Sequence, residues 1–381
     1  NNDNMIGSAG DDYISAGTGN DVVTGSAGND TIIGGSGYDV LAGGAGNDTF
    51  LIDGTDTAYD RFDGGDGYDV IQGGAGDDTI RVNLFSGTNT VEKIDGGAGQ
   101  NILAGSVNND SIDLSNTELV NIALIDAGTG NDVVTGSAGN DLIQGKDGAD
   151  RLTDTQGNNL LDAGAGVDVL IAGTGNDLLI GGLGNDTITT GTGYDVIVFN
   201  KGDGQDIINA STGDDNTLSL GGNFAYSDLS LTKSTNNLIL KMGATDQITL
   251  KDWYLGTTNK SVVNLQVIAE AIQGFSLGSA DNLRNNKIES FNFTNLVAAF
   301  DAAGATASWQ LTDARLTTHL QSGSDTAAIG GDLAYQYGKN SNLAGMGSLN
   351  AQSVIAAASF GQTAQTLNNP TVWQAELVKL G

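Results

Sequence analysis

The chain has 381 residues, enough for roughly two or three domains, and its formal net charge is −31 from 46 acidic and 15 basic residues. This acid excess argues against nucleic acid and against an anionic membrane surface as partners, because both need a basic footprint. The chain has no cysteine, which excludes disulfides, thiolate zinc sites and a cysteine nucleophile. No apolar run reaches the roughly 18 residues of a transmembrane helix.

The first half of the chain is built of nine-residue units. Residues 25–51 read "GSAGNDTIIGGSGYDVLAGGAGNDTFL", with glycine at the fourth place, aspartate at the sixth and an apolar residue at the eighth. The opening residues "NNDNMI" fit the end of such a unit, so we expect the chain to be a fragment of a longer protein. In chain order, 18 units occupy residues 7–51, 64–81, 96–113, 127–198 and 201–209, with insertions at 52–63, 82–95 and 114–126.

The pattern G-G-x-G-x-D-x-U-x, in which U is apolar, resembles the nonapeptide of the RTX (repeats-in-toxin) family, whose repeat binds calcium. The resemblance covers residues 1–218 and is specific, because 18 units keep one phase. It implies a mainly β fold, a right-handed parallel β-roll in which two units form one coil and Ca²⁺ ions lie between the turns. Neighbouring strands of a sheet are then two repeat units apart along the chain.

The residue types of the repeat suit calcium binding, independently of the resemblance. Glycine permits positive φ, so each unit can turn sharply and point backbone carbonyls inward. Carbonyl and carboxylate oxygens are the ligands that Ca²⁺ prefers, whereas a chain almost without His and Cys serves transition metals poorly. The alternative is a metal-free β-solenoid that uses aspartate only as a turn residue.

We predict multiple Ca²⁺ ions, held by the aspartates at the sixth place. These predicted ligands are Asp12, Asp21, Asp30, Asp39, Asp48, Asp69, Asp78, Asp110, Asp132, Asp141, Asp150, Asp168, Asp177, Asp186, Asp195 and Asp206.

The last three places of each unit are predicted to form a short strand whose eighth residue points inward. In the longest block the inward residues are Val134, Ile143, Leu152, Leu161, Leu170, Leu179, Ile188 and Ile197. A core one side chain wide per turn buries little surface, so we expect the metal to contribute to folding.

One outward face of the longest block is markedly apolar. This apolar ladder consists of Leu142, Leu160, Leu178 and Val196, all at the seventh place. We predict that the C-terminal region or another chain covers it, so that self-association through this face is one possibility. The alternative is plain β-propensity on an exposed strand.

The period changes from nine to two after residue 216. Residues 217–258 alternate apolar and polar side chains and are predicted to form an antiparallel meander that caps the roll. The division into domains is then a β-roll at 1–216 with its three insertions, a β-rich cap at 217–258 and a mixed, partly helical region at 259–381.

Helical signals occur throughout the C-terminal region. We expect one helix to carry Leu296 with Thr294 or Asn295 as its cap, and further helices to carry Trp309 with Leu316, Leu333 with Tyr337, and Val354 with Ile355, followed by a short terminal helix from Pro370.

The C-terminal region also resembles the end of large RTX exoproteins, which carry an uncleaved signal read by a type I secretion system. The resemblance implies a secreted or cell-surface bacterial protein whose calcium-binding module folds outside the cell and supports its export. The first alternative is a calcium-dependent structural module of a surface-layer protein or adhesin. The second alternative is the C-terminal part of a secreted cytolysin, protease or lipase.

One short motif raises the question of catalysis. The stretch "GFSLG" at 274–278 matches G-x-S-x-G, and Asp281 and His319 follow in the order of an α/β-hydrolase. That motif needs a strand before it and a helix after it, whereas a polar stretch, "SADNLRNNK", follows here. We therefore predict that Ser276 is not a nucleophile and that this chain is not an enzyme.

Overall fold

The structure is a computed structural model that describes residues 1–52, 54, 57–86, 90–211, 215–304, 308–368 and 376–381. It is mainly β and forms a parallel β-solenoid of about ten turns with a few C-terminal helices, which confirms the predicted fold class. The chain divides into two compact units, Asn1–Asp154 and Thr155–Gly381. The predicted boundaries at 216 and 258 stay predictions.

The first unit contains strands β1–β18. Their bounds are β1 (Asn4–Ile6), β2 (Tyr13–Thr18), β3 (Val22–Ala27), β4 (Thr31–Ser36), β5 (Val40–Ala45), β6 (Thr49–Leu51), β7 (Arg61–Asp66), β8 (Val70–Gln72), β9 (Thr79–Arg81), β10 (Leu84–Phe85), β11 (Lys93–Asp95), β12 (Asn101–Ala104), β13 (Ser111–Asp113), β14 (Glu118–Val120), β15 (Ile122–Asp126), β16 (Val133–Thr135), β17 (Leu142–Gln144) and β18 (Arg151–Asp154). They stack in the orders β1-β3-β5-β7, β2-β4-β6-β8-β11-β14, β10-β13-β16-β18 and β9-β12-β15-β17.

Stacked strands of the first unit are parallel, because each coil brings the chain back in the same direction. Asn4 pairs with Val22, and Val133 pairs with Arg151, which confirms the predicted offset of two repeat units. The eighth-place residue of each unit faces the interior, as Phe50 does with 0% of its surface exposed. The residues on either side of it are partly exposed, as expected from the alternation of side chains along a strand.

The insertions continue the stacks instead of interrupting them. Strand β7 begins inside the first insertion, and its Arg61 pairs with Val40 of the preceding coil. Strand β11 lies in the second insertion, and its Lys93 pairs with Val70 of the preceding coil. Phe62 and Ile94 of these strands are buried like the eighth residues of regular units. Each insertion therefore lengthens a turn while it still supplies a strand to the sheet.

The second unit contains strands β19–β36 and helices α1–α4. The strands are β19 (Leu160–Asp162), β20 (Ala165–Gly166), β21 (Val169–Ala172), β22 (Leu178–Ile180), β23 (Leu183–Gly184), β24 (Thr187–Thr189), β25 (Val196–Asn200), β26 (Gln205–Ile208), β27 (Asn216–Gly221), β28 (Leu229–Ser234), β29 (Asn237–Met242), β30 (Asp246–Leu250), β31 (Val262–Val267), β32 (Ile288–Asn292), β33 (Trp309–Gln310), β34 (Leu320–Ser324), β35 (Ala327–Ala328) and β36 (Gln365–Thr366). The helices are α1 (Phe293–Ala302), α2 (Asp313–His319), α3 (Gly331–Asn340) and α4 (Ser348–Ile355).

The predicted meander is present as strands β28, β29 and β30, which pair antiparallel in sequence order. Strand β30 also pairs in parallel with β26, so the meander joins one sheet of the roll directly. Strand β27 pairs in parallel with β25 and β31 and therefore continues the other sheet of the solenoid. The change of sequence period at residue 217 thus precedes the change from parallel to antiparallel pairing by one strand.

The helices of the C-terminal region differ from the sequence expectations in their details. Helix α1 buries Leu296, but its cap is Asn292, whose side-chain oxygen accepts the Asn295 N–H at 2.8 Å. The expected caps Thr294 and Asn295 lie inside this helix, because an N-cap oxygen binds an N–H two or three residues later. Trp309 belongs to β33 and not to the helix of Leu316.

Two further sequence expectations concern the C-terminal region. Most of the expected terminal helix from Pro370 lies outside the described residues, and the described residues 376–381 are not helical. Residues 274–278 lie in turn and loop structure, without the strand and helix that a nucleophile motif requires. Among the described residues, no helix combines the length and apolarity needed to cross a bilayer.

The apolar ladder is covered, as predicted. Leu160, Leu178 and Val196 each have 0% of their surface exposed, and Leu142 in the first unit has 2% exposed. In the second unit, helix α3 packs against β25, the strand that carries Val196. The cover therefore comes from the C-terminal region of the same chain in this unit, and the ladder offers no exposed surface for self-association.

Hydrogen bonds fix the C-terminal region to the repeats of the second unit. The side-chain amide of Asn158 donates to the Ile355 carbonyl at 2.9 Å, and that of Asn176 donates to the Phe360 carbonyl at 3.1 Å. Both asparagines occupy the fifth place of their repeat units. The turns of two successive coils therefore position the chain segment that follows and includes the end of α4.

We predict that Leu178→Ala lowers the free energy of unfolding in saturating calcium by about 2–5 kcal/mol, because Leu178 has 0% of its surface exposed and its truncation leaves a buried cavity. Urea denaturation followed by circular dichroism measures this change. Leu183→Ala is the matched control, since Leu183 is 58% exposed, and it should change stability by less than about 0.5 kcal/mol. Equal losses for the two variants would contradict burial of the apolar ladder.

Candidate metal centre

The sixth-place aspartates of stacked coils form hydrogen-bonded rows, called aspartate ladders below. The backbone N–H of Asp21 donates to Oδ1 of Asp39 at 2.8 Å, and that of Asp30 donates to Oδ1 of Asp48 at 2.7 Å. The second unit repeats the arrangement, with the Asp177 N–H at 3.0 Å from Oδ1 of Asp195. One oxygen of each carboxylate is thus held by the preceding coil, which fixes the direction of the other.

The other oxygen, Oδ2, is buried and lacks a donor in many of these units. In the part of the chain that the structure describes, Oδ2 has no hydrogen-bond partner within the protein in eight predicted ligands: Asp21, Asp30, Asp48, Asp69, Asp132, Asp177, Asp186 and Asp195. Burying a carboxylate oxygen without a partner is costly unless a cation is nearby. Eight repetitions of one unpaired atom indicate a common ligand of positive charge.

The first-place glycine forms a cradle around this oxygen. A Cβ atom on Gly43 would overlap Oδ2 of Asp48 and would lie 2.6 Å from the carbonyl oxygen of Gly64 in the next coil. A Cβ atom on Gly25 would likewise overlap Oδ2 of Asp30. Only glycine lets the carboxylate oxygen approach the backbone so closely, and oxygen atoms of two coils meet at this point. A site bordered by carboxylate and carbonyl oxygens suits a hard cation such as Ca²⁺.

Few carboxylates are available to any one ion. Among the described residues, no three side chains of His, Cys, Asp or Glu are grouped so that they could hold a metal. Since Ca²⁺ takes about 6–8 oxygen ligands, backbone carbonyls of the turns would supply most of them. The one-aspartate, glycine-rich repeat is consistent with such a ligand set.

The electrostatic environment of the ladders also favours a cation. Burial raises the pKa of Asp132 and Asp186 to about 6 and that of Asp177 to about 7. Burial, together with the neighbouring charge of Asp177, raises the pKa of Asp195 to about 8. These carboxylates therefore retain protons near neutral pH unless a positive charge compensates for the lost hydration.

The remaining eight predicted ligands fall into two groups. Asp39, Asp150, Asp168 and Asp206 are buried in the roll. In Asp12, Asp78, Asp110 and Asp141, by contrast, Oδ2 accepts a backbone N–H from the residue four positions earlier in the same unit. The structure therefore gives the sixth-place aspartates two different environments.

Asp60, Glu92, Asn101 and Asn216, all outside the predicted set, occupy equivalent positions in the ladders; Oδ1 of Asn216, for example, accepts the Asp195 N–H at 3.0 Å. Oδ1 of Asp60 accepts the Asp39 N–H at 2.9 Å, and Oε2 of Glu92 accepts the Asp69 N–H at 2.7 Å. Oδ1 of Asn101 accepts the Asp78 N–H at 2.8 Å. Each residue directly precedes or begins a strand of the stack. An acidic or amide residue just before a short strand is the signal that would have identified Asp60 and Glu92.

The family model of the RTX calcium-binding nonapeptide repeat matches residues 1–32, 24–51, 60–84, 86–116, 124–152, 144–179 and 162–197. Residues 1–197 belong to the RTX calcium-binding repeat family. The RTX resemblance is therefore confirmed, and Ca²⁺ is the ion expected in these turns. The RTX β-solenoid is a structural fold without a catalytic role, and RTX repeat proteins are typically secreted. A search among curated proteins gives no match for the chain.

Calcium binding should strengthen as the pH rises. Because burial raises the pKa of Asp132 to about 6 and that of Asp195 to about 8, the calcium-free fold binds more protons than the unfolded chain. Its free energy of unfolding therefore falls as the pH increases from about 4 to about 8. Calcium needs the charged carboxylates, so we expect its apparent affinity to increase over the same range, by up to roughly tenfold per pH unit for each proton that the ion displaces. Calcium titrations at several pH values measure the effect, and a pH-independent midpoint would contradict it.

Loss of one carboxylate whose Oδ2 is unpaired should weaken calcium-induced folding. We predict that Asp177→Asn raises the calcium midpoint of folding by roughly tenfold, the effect expected from losing one charged ligand. Asp162→Asn is the matched control, because Asp162 occupies the ninth place of the unit at residues 154–162 and is partly exposed; it should shift the midpoint by less than about twofold. Similar small shifts in both variants would show that Asp177 is not a ligand.

Proposed function

We propose that this chain is a calcium-binding RTX module of a secreted bacterial protein and that the sixth-place aspartates with an unpaired Oδ2 are its calcium ligands. The observation that carries the proposal is the set of eight buried Oδ2 atoms without a hydrogen-bond partner among the described residues. The glycine cradles beside Asp30, Asp48 and Asp69 support the proposal, because a side chain there would displace the carboxylate oxygen from its position.

Calcium binding would be coupled to folding in this module. The chain carries a net charge of −31, and roughly a dozen Ca²⁺ ions would supply about 24 positive charges. Without them, repulsion between carboxylates and the conformational freedom of the glycines favour an expanded chain. Ions that bind only the folded state stabilise it by mass action, so the calcium concentration would decide whether the roll forms.

This coupling suits export by a type I secretion system, which we propose as the cellular partner. The chain would remain unfolded at the low calcium concentration of the cytoplasm and pass through the exporter in that state. Outside, calcium at roughly 10⁻⁴–10⁻³ M, a range typical of extracellular modules, would fold the roll and oppose its return. The typical secretion of RTX repeat proteins and the acidic composition support this role.

The role of the parent protein follows less directly from this chain. A calcium-dependent module of a surface-layer protein or adhesin would use an exposed face for assembly. The apolar ladder does not favour that alternative, because Leu160, Leu178 and Val196 are buried within the chain. A catalytic role would belong to another part of the parent protein, since the RTX solenoid is a non-catalytic fold.

Far-UV circular dichroism of the 381-residue chain during a calcium titration tests the proposal. We expect a cooperative gain of β-structure in calcium, complete reversal by a chelator and no comparable gain with magnesium, because Mg²⁺ dehydrates reluctantly and demands octahedral geometry. A β-rich spectrum that does not change on metal removal, confirmed by elemental analysis, would instead indicate a metal-independent solenoid and would contradict calcium-coupled export.

A further inference from the structure

Four repeat turns, called closed turns below, satisfy their aspartate internally. In each, the backbone N–H of the second-place residue donates to Oδ2 of the sixth-place aspartate. The distance is 2.6 Å from Ser8 to Asp12 and 2.7 Å from Ser137 to Asp141. The closed turns belong to the units at residues 7–15, 73–81, 105–113 and 136–144. Open turns, by contrast, are those of the eight units in which the structure leaves Oδ2 without a partner.

The backbone follows different paths in the two classes. The fourth-place glycine has a positive φ in open turns, for example 126° at Gly28 and 137° at Gly46. It lies outside the left-handed region at Gly10, Gly76 and Gly139 of the closed turns. The positive φ in an open turn brings the glycine against the preceding coil, so that a Cβ on Gly46 would overlap the Gly28 carbonyl oxygen. A Cβ on Gly10 or Gly76 would meet nothing within 4 Å.

The residues of the turn do not decide its class. The same six residues, "GSAGND", occupy positions 25–30 and 136–141. The first copy is open, with φ of 93° at Ser26 and an unpaired Oδ2 on Asp30. The second copy is closed, and the Ser137 hydroxyl also donates to Asp141 Oδ2, at 2.8 Å. One local sequence therefore adopts both conformations, and the choice must come from the neighbouring coils.

Each closed turn leads into a strand that either begins its stack or follows a strand of an insertion. Strands β2 and β9, which follow two of the closed turns, are edge strands. Strand β13 stacks on β10 and β17 stacks on β15, and both β10 and β15 lie in insertions. Among the described residues, Asp12, Asp78 and Asp110 accept no N–H from an aspartate of a preceding coil. In the open copy, the Asp12 N–H holds Oδ1 of Asp30 at 2.8 Å.

From this pattern we infer that a preceding regular coil is required to open a repeat turn for calcium, and that the first turn of a stack, or the first after an insertion, contributes no carboxylate to an ion. An N–H of the preceding coil orients the carboxylate of an open turn and leaves Oδ2 free. In Asp12, Asp78 and Asp110, which accept no such N–H among the described residues, the carboxylate accepts its own turn's N–H instead. That N–H directs its positive end at the oxygen that would bind the cation, so the turn's internal hydrogen bond takes the place of the ion. This inference rests on the proposed calcium ligation by open turns.

The two "GSAGND" turns provide a matched test. Asparagine keeps an oxygen that can accept an N–H but removes the charge that a calcium ligand needs. We therefore expect Asp30→Asn to bind one Ca²⁺ fewer per chain than the unmodified protein, and Asp141→Asn to bind the same number. Equilibrium dialysis against saturating calcium, followed by elemental analysis of protein and metal, gives the count directly.

A combined variant extends the test to other closed turns and does not depend on whether Asp30→Asn folds. Asp78→Asn, Asp110→Asn and Asp141→Asn together should retain the full calcium count, with a folding midpoint within about twofold of the unmodified chain. Loss of one ion for each substitution would overturn the inference, because closed turns would then supply ligands. Failure of the unmodified chain to bind any calcium would contradict the proposed function instead, so the two failures are distinguishable.

Discussion

The fold depends on how the buried carboxylates of the repeat turns are neutralised. Each aspartate ladder places an acidic side chain between stacked coils, where hydration is lost and the pKa rises, to about 8 at Asp195. One oxygen is paired with the backbone of the preceding coil, which orients the carboxylate but does not cancel its charge. The second oxygen needs a cation, a proton or an N–H. Because a cation such as Ca²⁺ can be that partner, the module responds to calcium.

The hydrophobic core cannot compensate for unneutralised carboxylates by itself. Within each unit, the solenoid interior is filled by single side chains such as Ile32, Ile80 and Leu179, one per strand. Such a core is long and thin, and it buries less apolar surface per residue than a compact domain. Helix α3 packs against β25, the strand of Val196, and adds a second layer there in the unit Thr155–Gly381. Metal binding and packing are therefore complementary sources of stability.

The nine-residue pattern, through its resemblance to the RTX repeat, predicted the solenoid and the two-unit offset between stacked strands, and the alternation of side chains along a strand predicted the inward residues. It could not predict that Arg61 and Lys93 pair with the sheets, since the insertions break the period while they keep the strand. Nor could it separate Asp30 from Asp141, which lie in identical hexapeptides. Their difference depends on the coil that precedes each turn, and that information is not contained in the turn itself.

The hydrogen bonds that fix the C-terminal region have a consequence for the order of folding. The bond from Asn158 to Ile355 joins residues 197 positions apart, and that from Asn176 to Phe360 spans 184 positions. Closing such long loops carries a large entropic cost, and long-range contacts slow folding. The coils form from contacts between successive coils, which are close in sequence, so they can assemble first and present a finished surface. We therefore expect the helical region to dock last, on the surface that the completed coils present.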